Sequence, residues 1–236
     1  MIDEMIDIKF SGIIPIKIFL FRHLNDDFAG DWEKEYVREL IATLKPEMTV
    51  YDIGAENGEL TILAGNLVGG SNVHIFEPNT NYYPNIKAIW LANNLDKPAN
   101  CFNGYVYETS DEKVEYGELD VLGEGEIFHG CLHPNHIDTP MQMVSLDDYC
   151  KTFTPPNVVM MDIEGGELAA VKGAKEVIEK YSPTFFISIH KPFFIMHRSG
   201  GTKEDLLKIF EDSGYEAKHL STDHEEHWKF AKIKNL

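Results

Sequence analysis

Apolar residues in this chain follow two alternating patterns. Short continuous apolar runs end in acids or glycines, and between them apolar positions recur every three or four residues. The runs are TVYDIG (49–54), NVHIFEP (72–78), ANCFNGYVYE (99–108), NVVMMDIEGG (157–166), PTFFISIHKP (183–192) and EHWKFAKI (226–233). Runs that are apolar throughout predict strands buried on both faces. The helical stretches are 31–44, 58–68, 81–95, 167–181 and 203–215. Asp31 is the expected N-cap of the first, and Pro84 fits the first turn of the third. MQMVSLDDYC (141–150) predicts a short strand and a capped turn. Strands alternating with helices predict an α/β fold, a doubly wound, mostly parallel sheet.

Residues 1–30 read as an extension. Within it, 6–21 is rich in Ile and Phe around Gly12 and Pro15, the signature of a strand or hairpin. The main domain spans 31–236, with a polar insertion at about 109–142 that shows no clear period. No internal repeat or low-complexity segment stands out.

Charge and cysteine use narrow the picture. The chain has 236 residues, 39 acidic against 21 basic, and a formal net charge of −18. So acidic a surface repels phosphate backbones and anionic membranes, so neither nucleic acid nor a membrane is an expected partner. The apolar stretch GIIPIKIFLF (12–21) is too short to span a bilayer. Three scattered cysteines, Cys101, Cys131 and Cys150, form no disulfide framework and suit a reducing, cytoplasmic setting.

In a doubly wound sheet, ligands sit beyond the carboxyl ends of the strands. Asp52–Gly58, Glu77–Asn79 and Asp162–Gly166 should therefore meet at one crevice. No P-loop string is present. A dinucleotide site normally places a second glycine where this chain has Glu56, and Asp52 and Glu56 would repel a pyrophosphate. S-adenosyl-L-methionine has no phosphate and carries two cationic groups that favour carboxylates. Glu77 follows Gly54 by 23 residues, near the roughly 20-residue spacing of ribose-binding acids.

VYDIGAENGEL, HIFEPNTNYYPNIKAIWLANN, VSLDDYC and VVMMDIEGGELAAVKGAKEVI together resemble the FkbM-type S-adenosylmethionine-dependent methyltransferases. The D-x-E-G-x-E pattern of that family is present as Asp162, Glu164, Gly165 and Glu167. The resemblance implies a seven-stranded class I methyltransferase sheet whose last strand is antiparallel. It implies O-methylation of a small-molecule or carbohydrate hydroxyl. By position, Asp52, Gly54, Ala55, Glu56, Asn57 and Gly58 would line the methionine side of the pocket. Glu77, Pro78 and Asn79 would take the ribose, and Asn103 and Gly104 the adenine side. Glu33 would close over the cofactor. Two features depart from the family: Glu56-Asn57 stands where Asn and then Ile or Val are common, and His190 where many members carry an acid. A non-catalytic protein of the same fold and an NAD(P)-dependent oxidoreductase are the alternative readings.

Methyl transfer to oxygen needs alignment of the two reactants and removal of the hydroxyl proton. Asp162 and Glu164, two apart at a strand end, are expected to share a side and to orient the acceptor. A divalent cation held by that pair is a less favoured reading, and no metal ligand is assigned. His190 at the neighbouring strand end has an ordinary pKa suited to proton abstraction. His129, Cys131, His133 and His136 are zinc-ligand types without a closed-site spacing, and read instead as part of a loop over the crevice. HEEHW (224–228) is not H-E-x-x-H and reads as a lead-in to the last strand.

Overall fold

The computed structural model describes residues 5–9, 17–21, 33–128 and 141–233. Strands β1 (Met5–Lys9) and β2 (Lys17–Phe21) form a two-stranded antiparallel sheet. Then come α1 (Lys34–Thr43), β3 (Val50–Ile53), α2 (Glu59–Val68), β4 (Val73–Phe76), α3 (Tyr83–Ala92) and β5 (Asn100–Phe102). A small parallel pair, β6 (Gly104–Val106) and β7 (Gln142–Val144), brackets the insertion with its short helix α4 (Leu119–Leu122). The second half runs α5 (Leu146–Thr152), β8 (Val158–Met161), α6 (Glu167–Lys172), α7 (Lys175–Lys180) and β9 (Thr184–Ile189). It closes with α8 (Pro192–Ser199), α9 (Lys203–Asp212), β10 (Tyr215–Thr222) and β11 (Glu226–Lys232).

The main sheet has seven strands in the order β10-β11-β9-β8-β3-β4-β5. It is parallel except for β11, which runs against both its neighbours. Alternate residues of each central strand feed opposite cores. Val50, Val158 and Met160 pack with Leu40, Ile62 and Ile86 on one face, under α1, α2 and α3. Tyr51, Val159 and Met161 pack with Leu168, Ile178 and Phe210 on the other, under α6, α7 and α9. Burial on both sides is why these strands carry no polar alternation.

Five elements differ from the sequence reading, each for a local reason. The stretch 167–181 is two helices, because α5 interrupts it. The Asp147 N–H donates to the Gly173 carbonyl at 2.9 Å, and Asp147 Oδ1 accepts the Val177 N–H at 3.0 Å. The run 99–108 is two strands, broken at Asn103, whose amide turns to the Glu77 and Pro78 carbonyls. Helix α8 begins at Pro192, where proline is preorganised for a first turn. Strand β10 lies at the sheet edge and is mostly exposed, so no apolar run announces it. The capped turn at SLDDY is a full helix, α5, with Ser145 Oγ accepting the Asp148 N–H at 3.2 Å. Asp31 lies outside the described residues, and α1 starts instead behind Glu33.

Candidate active site

The first turn is built by close backbone approach. Gly54 has φ +89°, and a Cβ there would stand 1.8 Å from the Asp162 carbonyl oxygen. Only glycine permits this contact, so the turns after β3 and β8 are locked together. The Gly54 and Ala55 N–H groups donate to the Phe76 carbonyl at 2.9 and 3.1 Å, which adds the end of β4. Asp52 is buried and accepts a hydrogen bond from Thr61 Oγ1. Burial pushes its carboxyl up to about 7, against the pull of that donor. Ala55 packs into the core, and Asn57 Oδ1 accepts from Asn85 Nδ2 at 2.8 Å, tying the turn to α3. Gly58 is the N-cap of α2. Glu56 is exposed, with its Oε1 3.2 Å from the Tyr82 hydroxyl.

Glu77, just beyond β4, is held by backbone donors. Its Oε2 accepts the Glu56 N–H at 2.9 Å and its Oε1 the Asn79 N–H at 2.7 Å. Burial raises its carboxyl to about 8, opposed by those two donors. Tyr83 Oη and Asn103 Nδ2 both donate to the Glu77 carbonyl, and Asn103 Nδ2 also to that of Pro78. Asn79 Oδ1 accepts from Asn81, while its Nδ2 is buried with no hydrogen-bond partner among the described residues. Gly104 follows directly as the first residue of β6. Asp52–Gly58, Glu77–Asn79 and Asn103–Gly104 are thus one connected set of strand ends.

The second group gathers acids and histidines at the carboxyl ends of β8 and β9. His190 is 8% exposed. Its Nδ1 is hydrogen-bonded to Glu167 Oε1 at 2.8 Å. Its Nε2 faces Glu225 Oε2 at 3.4 Å, Glu164 Oε2 at 3.5 Å and Asp162 Oδ1 at 3.7 Å. Burial works to lower the His190 pKa, but Glu167, Asp162 and Glu225 prevail and raise it to about 9. At neutral pH it therefore holds its proton, where its ordinary value would suit a base. Asp162 is pushed well up by the protein packed around it; His190 opposes that, and Glu225, Glu167 and Glu164 add to it. Asp162 and Glu164 sit in the turn after β8, not on the strand, and Glu164 has φ 56°. They share a side because both face one imidazole.

Strand β11 runs opposite to its neighbours, so its start lies at the same edge, with Glu226 paired to Ile189. This brings Asp223, Glu225 and His227 to the site. His227 is buried, with Nδ1 3.0 Å from Ser188 Oγ and Nε2 3.1 Å from Asp223 Oδ2. Glu33, ahead of α1, has φ 46° and lies 3.8 Å from His227 Nε2. Burial, then Asp162 and Glu225, raise its carboxyl to about 9. From the sequence, Glu225 and His227 belong to the HEEHW lead-in to the last strand with no site role assigned, and Asp223 carries no signal of its own. The signal that could have found them is Glu225 and His227 two apart at a strand start, on one side of the strand. His129, Cys131, His133 and His136 lie outside the described residues.

A family model, the methyltransferase FkbM domain, matches residues 52–217. The chain belongs to the FkbM methyltransferase family. The match takes in both strand-end groups, from Asp52 through His190, and leaves out Glu33, Asp223, Glu225 and His227. Among solved structures, the FkbM methyltransferase of Methylobacillus flagellatus KT is similar, at 18% identity and a TM-score of 0.53. That match covers 83% of this chain and 47% of the other, so this chain spans about half the length of that relative. A putative rRNA-methylase from Clostridium thermocellum is similar at 13% identity and a TM-score of 0.50, covering 84% and 93% of the two chains. Precorrin 8w decarboxylase, from the Methanobacterium thermoautotrophicum genome, has 10% identity and a TM-score of 0.50, covering 85% and 90%. At these identities the likeness is one of fold: the seven-stranded Rossmann-like sheet of class I methyltransferases. A comparison with curated proteins returned no match.

Proposed function

We propose that this FkbM-family chain transfers a methyl group from S-adenosyl-L-methionine to a hydroxyl of a small molecule or carbohydrate. The observation that carries the reading is Glu77. Its buried carboxyl group is fixed at a strand end by the Glu56 and Asn79 N–H groups, and its oxygens keep lone pairs for a ribose hydroxyl. The unpartnered Nδ2 of Asn79 beside it is a donor in want of a ligand acceptor. The residues present therefore fit the cofactor. When bound, it supplies an electrophilic methyl carbon on a cationic sulfur.

The chain's own groups divide the remaining work. Asp52 and the Gly54–Gly58 turn would face the methionine end, where carboxylates favour cationic groups. Asn103 and Gly104 would border the adenine. Glu164 would accept the hydrogen of the acceptor hydroxyl, and Asp162, held toward its protonated form, would orient the oxygen. His190, clamped by Glu167 and charged at neutral pH, would position those carboxylates rather than abstract the proton. The carboxylate-rich edge favours a neutral or cationic acceptor over a phosphate chain. This is the ground for placing nucleic acid outside its substrates, although relatives in fold include a putative rRNA-methylase.

Calorimetric titration with S-adenosylhomocysteine tests the reading, on wild type and Glu77→Ala, with NAD as control. Micromolar binding by wild type that falls at least tenfold in the variant is expected, since a ribose hydroxyl loses its acceptor (about 1.5–3 kcal/mol). Binding of NAD alone, or of neither ligand, would overturn it. Methyl transfer from labelled cofactor to a panel of sugars and polyketide-like alcohols then separates an enzyme from a non-catalytic binder.

A further inference from the structure

Six carboxyl groups, those of Glu33, Asp162, Glu164, Glu167, Asp223 and Glu225, converge at one edge of the sheet around three histidines. Among the described residues, every ion pair these acids make is with His190, His224 or His227, and none is with lysine or arginine. Three sets of potential ligand atoms lie within 4.8 Å of one another: Asp162–His190–Glu225, Glu33–Glu225–His227 and the more exposed Asp223–His224–Glu225. Glu225 belongs to all three.

We propose that Asp162, His190 and Glu225 form a binding site for a divalent transition-metal cation of the Mn2+, Co2+ or Zn2+ class, at the carboxyl ends of β8 and β9.

Three geometric features support the assignment. First, the spacing suits ligands better than hydrogen-bond partners. His190 Nε2 lies 3.4 Å from Glu225 and 3.7 Å from Asp162. Metal–ligand bonds of about 2.0–2.2 Å on tetrahedral axes give ligand-to-ligand edges of about 3.3–3.6 Å. Second, the Nδ1 of His190 is bonded to Glu167 Oε1, which leaves Nε2 to coordinate. A carboxylate on the far nitrogen of a ligating histidine fixes its tautomer and raises its basicity. Third, the site holds a buried carboxylate oxygen that no donor among the described residues satisfies. Glu167 Oε2 is buried with no hydrogen-bond partner among the described residues. Glu33 is 3% exposed, with His227 Nε2 3.8 Å from its Oε1 and the carboxyls of Asp162 and Glu225 close enough to raise its pKa. A Glu33 oxygen lies within 4.8 Å of the ligand atoms of Glu225 and His227, so it is directed into the cluster. Buried carboxylates without donors are costly unless neutralised or bound to a cation.

The ligand set of one imidazole and two carboxylates suits the borderline divalent ions better than Mg2+, which prefers all-oxygen octahedra with several waters. An ion at this position takes the place of the proton on Nε2 of His190. Within the methyl-transfer reading it would also draw in the acceptor oxygen and lower its pKa. That role rests on the reading; binding of the ion does not.

The test uses the whole chain, stripped with a chelator and titrated with MnCl2 alone, followed by electron paramagnetic resonance and calorimetry. One ion per chain is expected. His190→Gln and Glu225→Gln should each weaken it at least tenfold, and the exposed Glu126→Gln should leave it unchanged. Circular dichroism and S-adenosylhomocysteine titration on each variant report the fold and the cofactor pocket independently. If His190→Gln does not fold, Mn2+ broadening of the His190 resonances in the 15N-labelled wild type gives the same answer. No saturable Mn2+ binding by wild type, or equal binding by the variants, would overturn the site. A loss of S-adenosylhomocysteine binding with Mn2+ binding intact would count against the cofactor reading alone.

Discussion

At the residue scale, acids occupy conformations that acids rarely adopt. Glu33, Glu56 and Glu164 all have positive φ, between 46° and 56°. Side chains in this region are strained unless the surroundings hold them there. Glu56 and Glu164 follow strand ends and Glu33 caps α1, and each lies beside the site. Asp52 shows how burial makes such acids sensitive to pH. Its carboxyl is raised to about 7 from an ordinary 3.8, so the folded chain holds that proton more tightly than the unfolded one. The stability gained is complete below the unfolded pKa and is lost as pH rises through about 7. Asp52→Asn cannot ionise and can still accept from Thr61. In thermal unfolding with chelator present, wild type should lose more melting temperature between pH 5 and pH 8 than the variant does. Parallel pH profiles would mean that Asp52 is not held neutral in the fold. Glu33 and Glu77, raised to about 9 and about 8, act in the same direction.

At the element scale, β9, β11 and α9 position the acid–histidine cluster. Phe210 on α9 stacks on Phe230 of β11 at a centroid distance of 4.1 Å and meets Phe185 of β9 edge-on at 5.0 Å. All three rings are fully buried. Phe210→Ala should destabilise the chain by about 3–5 kcal/mol, through lost transfer energy and a cavity between helix and sheet. Urea unfolding measures this. A loss below about 1 kcal/mol would show that the neighbouring rings collapse into the space. The same packing explains the register of β11, where Phe230 faces Phe185 and Glu226 faces Ile189. That register sets Glu225 and His227 beside His190.

At the scale of the whole molecule, the net charge of −18 governs encounters. Among the described residues, no helix is long and apolar enough to cross a membrane. Some relatives in fold carry rRNA-methylase in their names, and a structured RNA is the direct test of the charge repulsion. Fluorescence anisotropy with a structured RNA at about 150 mM salt should show no binding at micromolar protein, because long-range repulsion is only partly screened there. Saturable micromolar binding would move the acceptor from small molecules to RNA, whatever the outcome at the cofactor pocket.

The sequence by itself determined the doubly wound sheet, because strands buried on both faces must be apolar throughout, and NVVMM and TVYDI leave no other reading. It also determined the Gly54 turn and the acid at Glu77, whose spacing follows from the length of one strand–helix–strand unit. It fixed neither the edge strand β10, which has no buried face to mark it, nor the break at Gly173, which depends on Asp147 arriving from another helix. The acid–histidine cluster was decided by tertiary structure alone. Glu33, Asp162, His190 and Glu225 are spread over nearly 200 positions of chain. They meet only because β11 runs antiparallel and α1 begins beside it. The protonation of His190 was decided in the same way, since a lone strand-end histidine has an ordinary pKa until the fold surrounds it with carboxylates.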